Sequence, residues 1–123
     1  MLPKEPMTID GQWTAIGAEI AGQHIDDDFL SVITLTVAQT SCELHIGGNT
    51  DKGTLKFLPH TIPMAFDFTS TDGPNAGKVF KAIYKLSGGF LVVCYNTDGG
   101  DRPKTFVTTP ENKFSLVRYK RPG

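Results

Sequence analysis

No apolar repeat of helical period lasts three turns anywhere in these 123 residues. The regular pattern has period two, in short stretches cut by Gly, Pro, Asn and Asp and rich in Thr and β-branched aliphatics. It predicts strands over 12–20, 31–38, 41–46, 53–58, 64–70, 78–87, 89–96, 104–109 and 114–121. Strong turn signals separate them: Gly47-Gly48-Asn49, Asp72-Gly73-Pro74, Gly88-Gly89 and Asp98-Gly99-Gly100-Asp101. Short links of this kind make neighbouring strands antiparallel and the topology a meander. The segment Ile25 to Leu30 is the one candidate helical turn, because its Asp run suits a helix N-terminus.

The two ends of the chain say what the sheet does next. Gly11-Gln12-Trp13 opens the first strand, and Arg118 and Arg121 lie on the last. A Trp and an Arg so placed can stack only if the sheet curls until its first and last strands meet. Arg118 shares a face with Phe114 and Leu116, which leaves Arg121 for Trp13. Gly11, Trp13 and Arg121 are therefore the expected closure of a barrel. The fold class expected is all-β: an eight-stranded antiparallel up-and-down β-barrel. It occupies 11–121 as a single domain, preceded by an N-terminal arm of residues 1–10.

Alternation assigns the inner face. Over 78–87 it places Phe80 and Tyr84 inward; over 89–96, Leu91, Val93 and Tyr95. With Phe57, Phe66 and Phe68 these form the expected lining of a lumen, and Arg102 is placed at its mouth. An Arg there can grip a carboxylate or phosphate, or it can tie down loop carbonyls. Tyr84 and Tyr95 would bring hydroxyls inside, and a buried phenol needs a partner. Asp67 points outward if Phe66 and Phe68 point inward; a one-residue shift would turn it into the lumen. Tyr84, Tyr95 and Asp67 are the only candidates for catalysis.

Composition removes several functions. Net charge is −1, with no basic stripe to meet a phosphate backbone, so no nucleic-acid partner is expected. The apolar runs are strand-length, and no membrane span is expected. The first six residues do not resemble a signal peptide, so a cytoplasmic location is expected, with an exported form whose signal has been removed as the alternative. His24, His45 and His60 share no metal-ligand spacing, and neither metal nor cofactor is expected. Gly73-Pro74-Asn75-Ala76-Gly77-Lys78 lacks the spacing, hydroxyl and following helix of a phosphate loop and reads as a turn. Cys42 and Cys94 fall inside strands without a CxxC pair and read as two buried thiols; a bridge would need their Cα atoms within about 7 Å.

Gly11-Gln12-Trp13 with a late Arg resembles the signature of the lipocalin/calycin superfamily. A longer series also matches: Phe66-Asp67-Phe68-Thr69, Thr71-Asp72-Gly73-Pro74, Gly77-Lys78, Ala82-Ile83-Tyr84-Lys85-Leu86, Leu91-Val92-Val93-Cys94-Tyr95 and Arg102-Pro103-Lys104-Thr105-Phe106. It resembles small lipocalin-like bacterial proteins of the planctomycete type. The resemblance implies a lipocalin-like barrel in which Trp13 plugs one end and an Arg packs across its ring. That family carries no established activity. Three functions therefore stay open: a barrel binding a small apolar or aromatic molecule in its lumen, a cyclase or isomerase using the lumen as a template, and a protein-binding inhibitor or immunity-type module. The last would work through loops 47–52, 71–77 and 97–103.

Overall fold

The computed structural model describes residues 9–30, 32–58, 61–73, 75–96 and 100–121. Residues 1–8 of the expected arm, His60 and the turn residues Pro74, Asp98 and Gly99 lie outside these.

Among the described residues, nine strands and one helical turn make up the fold. They are β1 (Gly11–Ile20), β2 (Gln23–His24), α1 (Asp27–Leu30), β3 (Ile33–Ala38), β4 (Ser41–Ile46), β5 (Asn49–Leu58), β6 (Met64–Asp72), β7 (Val79–Ser87), β8 (Phe90–Asn96) and β9 (Ser115–Lys120). All pairings are antiparallel, and β1 also pairs with β9, so eight strands close into a barrel with β2 as a short extra strand.

Closure depends on how β1 divides its two edges. Gly11 to Thr14 pair with β3, and Thr14 to Ile20 pair with β9. A bulge between Ala15 and Gly17 bends the strand where it changes neighbours. Gly17 suits this spot, since a Cβ there would stand 3.1 Å from Arg118 Nη1. β1 then turns into β2 through Ala21 and Gly22, both with positive φ, in the manner of a two-residue hairpin.

The register puts the two barrel ends in different states. At one end meet the start of β1, the β3–β4 and β7–β8 turns and the end of β9. Trp13 is fully buried there. Its indole donates to the Ile9 carbonyl at 2.9 Å, and Arg121 lies over its ring at 4.1 Å. Arg121 also donates to the Asp10 carbonyl at 2.8 Å. Ile9 and Asp10, placed by the sequence in the arm, thus belong to the plug. Gly11 has a φ of 121°, and a Cβ on it would sit 2.7 Å from Arg121 Nη1, so the plug needs glycine there twice over. Arg121 has the inward parity of Val117 and Tyr119, whereas Arg118 has the outward parity of Leu116.

The segment 104–109, expected as a strand, is not one. β8 already has β7 on one edge and β9 on the other, so no edge is free to take it. The connection between β8 and β9 instead runs down the outside of the barrel. Phe106 and Phe114 pack there on a second apolar cluster of Ala65, Ile83, Cys94 and Leu116. Arg102 fixes this strap. Its Nη1 donates to the main-chain oxygens of Phe66 and Ala82 at 3.0 and 3.1 Å, and its Nη2 to Asp67 at 2.7 Å. Asp67 also stands opposite Lys56 and Lys81 in the sheet, a favourable setting for its charge. Replacing Arg102 with alanine is expected to lower unfolding stability by about 2 kcal/mol, the scale of losing charge-assisted bonds to partly buried groups. Urea unfolding followed by circular dichroism measures this.

Candidate functional site

The barrel interior is filled in one half and open in the other. Towards the plug, aromatic side chains occupy the axis. Phe57 meets Phe66 and Tyr84 edge-on at 6.1 and 6.2 Å, Phe66 meets Tyr84 at 5.4 Å, and Phe66 meets Tyr95 at 6.4 Å. Leu91 and Val93 are fully buried in the same core. The void left beside Phe66, Phe68, Leu55 and Cys42 is about 10 Å³. That is the least that admits one water molecule and far too small for a ligand.

Towards the other end lies a cavity of about 320 Å³. Its walls are the inward-facing residues Ala18, Ile33, Leu44, Phe80 and Val117, with Ile25 and Phe29 of the α1 region lying across it. Ile20, Phe29 and Ile46 stand around the entrance, 48%, 44% and 38% exposed. Its polar atoms come from Tyr95, Tyr119, Ser115, Asp51 and Asn75. No Lys, Arg or His is among the described residues that line it.

Local sequence explains this opening. α1 is a single turn that packs on β1, with Ile25 N donating to the Ala18 carbonyl at 3.0 Å and Leu30 buried. It roofs part of the mouth without entering it. Opposite, the loop after β6 is held in place by Asp51. The residue is 7% exposed, and its carboxylate accepts from the main-chain and side-chain nitrogens of Asn75 at 3.2 and 3.0 Å. Gly73, with φ of 108°, lets that loop run close against Thr50 and Asp51.

Two other hollows are less suited to a ligand. A cleft of about 210 Å³ on the flank is lined by Ile16, Glu19, His24, Leu116 and Arg118, and two of its polar groups are engaged with structure: Glu19 accepts from Thr108 and lies 3.8 Å from His24. A wider hollow of about 580 Å³ between Ile20, Gln23, Pro110 and Lys113 is a flank depression rather than barrel interior.

The sequence-assigned residues therefore separate. Phe80 and Tyr95 line the mouth cavity. Phe57, Phe66, Phe68, Tyr84, Leu91 and Val93 belong to the filled core, with Phe66 and Phe68 bordering the small void. Arg102 and Asp67 pair on the outer surface, so neither faces the lumen. Asp67 and Tyr95 thus stand on opposite sides of the wall and cannot act on one molecule. Tyr119 and Asp51 join the site without having been singled out. Tyr119 was legible in principle, since it alternates with Arg121, which alternation turns inward. Asp51 was missed because β5 starts at Asn49, four residues before the expected strand.

Tyr95 and Tyr119 bring their hydroxyl oxygens within 3.2 Å of each other inside the barrel. Burial, above all, holds both phenols above their ordinary range, so both are neutral at physiological pH. Tyr84 is raised by burial as well. Cys42 faces the interior and Cys94 the outer cluster, and both thiols are free. Burial pushes Cys42 up to about 12, with Glu43 adding to it, and Cys94 up to about 11. Neither thiol is therefore expected to react with a disulfide reagent at pH 8 while the chain is folded, and both react after unfolding. The unfolded thiols titrate near 9.0, so the unfolded chain loses protons first as pH rises. Their contribution to stability is full below pH 9 and is lost as the pH climbs towards 11 and 12.

Comparison of this chain with family models, with curated proteins and with solved structures gives no match.

Proposed function

We propose that this protein is a lipocalin-like binding barrel that takes one small apolar or aromatic molecule in its mouth cavity. The observation that carries the reading is the cavity itself, about 320 Å³, walled by inward-facing apolar side chains. That volume lies at the lower end of the range of small-molecule sites and, at about 30 Å³ per water-sized atom, holds roughly ten non-hydrogen atoms. The half-exposed Ile20, Phe29 and Ile46 around the entrance support it, since large apolar groups left together at an opening gain by covering a ligand.

The plugged end supports the same assignment from the other side. Among the described residues, Trp13, Arg121 and the aromatic stack fill that end, which supports a structural role for the Trp-Arg pair. Lipocalin-like character is supported by the Gly11-Gln12-Trp13 opening, its Arg121 partner and the closed antiparallel meander.

The test is a thermal-shift screen of neutral aromatic compounds on the wild-type chain and on Val117→Phe, whose ring would occupy the cavity. Saturating ligand is expected to raise the wild-type melting temperature by mass action and to leave the variant's unchanged. Equal shifts in both would place binding elsewhere.

A further inference from the structure

The mouth cavity has a floor of unusual chemistry for an apolar site. Tyr95 and Tyr119 both line it, and their hydroxyls meet at 3.2 Å. Two hydroxyls carry two protons, and the bond between them uses one. No further hydrogen bond of either hydroxyl occurs among the described residues. One phenolic proton therefore remains to be donated, and because Tyr119 has no exposed surface while Tyr95 keeps 6%, it is Tyr95 that can present it, with Tyr119 donating to Tyr95. A buried donor left without an acceptor costs free energy, and a ligand that supplies one removes that cost.

Charge narrows the ligand further. The cavity's one charged group among the described residues is Asp51, at 7% exposure. With no cationic side chain on the lining, a carboxylate or phosphate would enter a site of its own sign and lose its water. Burial also keeps both phenols protonated, so they act as donors throughout the physiological range.

We propose that the Tyr95–Tyr119 pair is the polar recognition point of this cavity and that its ligand is a neutral, largely apolar carbonyl compound, bound with the carbonyl oxygen on the phenol pair. This rests on the binding reading above and specifies its ligand class. The apolar walls then contact the remainder of the molecule, and the rim at Ile20, Phe29 and Ile46 covers its outer end.

Three monosubstituted benzenes of nine non-hydrogen atoms each, carrying an acetyl, an isopropenyl or a carboxylate group, fit the cavity's size and separate the terms. They are matched in shape and differ in offering a neutral acceptor, no acceptor or an anion. Titration calorimetry on the wild-type chain is expected to show the ketone binding about tenfold tighter than the isopropenyl compound, the scale of one buried hydrogen bond. The carboxylate is expected to bind more weakly than either. In Tyr95→Phe/Tyr119→Phe the ketone's advantage disappears while the isopropenyl affinity holds. Removing both hydroxyls leaves no orphaned partner, so the variant keeps its fold, which circular dichroism checks.

Equal affinities for ketone and isopropenyl compound in the wild type would overturn the inference and leave the binding reading standing. So would a carboxylate that binds tightest, or a ketone preference that survives in the double variant. Binding of none of the three would overturn the cavity reading and this inference with it.

Discussion

Replacing Trp13 with alanine is expected to cost about 3–5 kcal/mol of unfolding stability, the range for truncating a buried aromatic in a packed core. The indole is fully buried, its nitrogen is bonded to the Ile9 carbonyl, and one face carries the Arg121 guanidinium at 4.1 Å. Truncation removes all three contacts and leaves a hole where β1 passes from β3 to β9. It also exposes the inner ends of the strands that meet at the plug. For a domain of this size the melting temperature should fall by roughly 10–20 °C. Ligand affinity at the mouth, measured where the variant is still folded, should stay within about twofold, since remote sites are close to additive. A variant that keeps its stability but loses ligand would place the binding site at the plug.

The second large effect is expected at Gly53. It lies on β5 beside a register shift, with Lys52 opposite Asp72 and Gly53 opposite Ser70. A Cβ built there would overlap the Thr69 carbonyl oxygen and the Phe68 ring. The first of these is backbone of the paired strand, so no side-chain rotation relieves it. Gly53→Ala must push β5 and β6 apart or rotate Phe68 out of the core. The expected loss is about 3 kcal/mol, the upper part of the range for overpacking a filled interior. Urea denaturation reads it directly. A loss below about 1 kcal/mol would mean that the two strands do not approach as closely as described.

These two positions show what was legible in the sequence. Alternation and turn residues delivered the barrel because each strand carries its own inward face. The parity that put Phe80 and Tyr95 inside also put Asp67 outside. The same parity set Arg121 against Trp13 once Arg118 was grouped with Leu116. Trp13 stood out as a lone Trp at the head of the first strand. Gly53 did not, because a close approach between strands depends on the partner strand's register.

What stayed hidden has the same origin. How far the filling extends along the axis depends on which inward side chains from non-neighbouring strands meet, as Phe57, Phe66 and Tyr84 do. Period two says that they face in and is silent on depth. The segment 104–109 has strand composition, but local pattern cannot know that β8 has no edge left. Arg102 reads locally as a mouth residue, and only the path of the strap carries it to Asp67 on the outside.

The division into a filled plug half and an open mouth half is open to direct measurement. Backbone and methyl NMR spectra of the wild-type chain, titrated with acetophenone to saturation, are expected to move Ala18, Ile25, Ile33, Leu44 and Val117. The Trp13 indole and the Leu91 and Val93 methyls are expected to stay in place. Changes centred on Trp13, Leu91 and Val93, or on the outer strap around Arg102, would contradict the assignment of the site to the mouth.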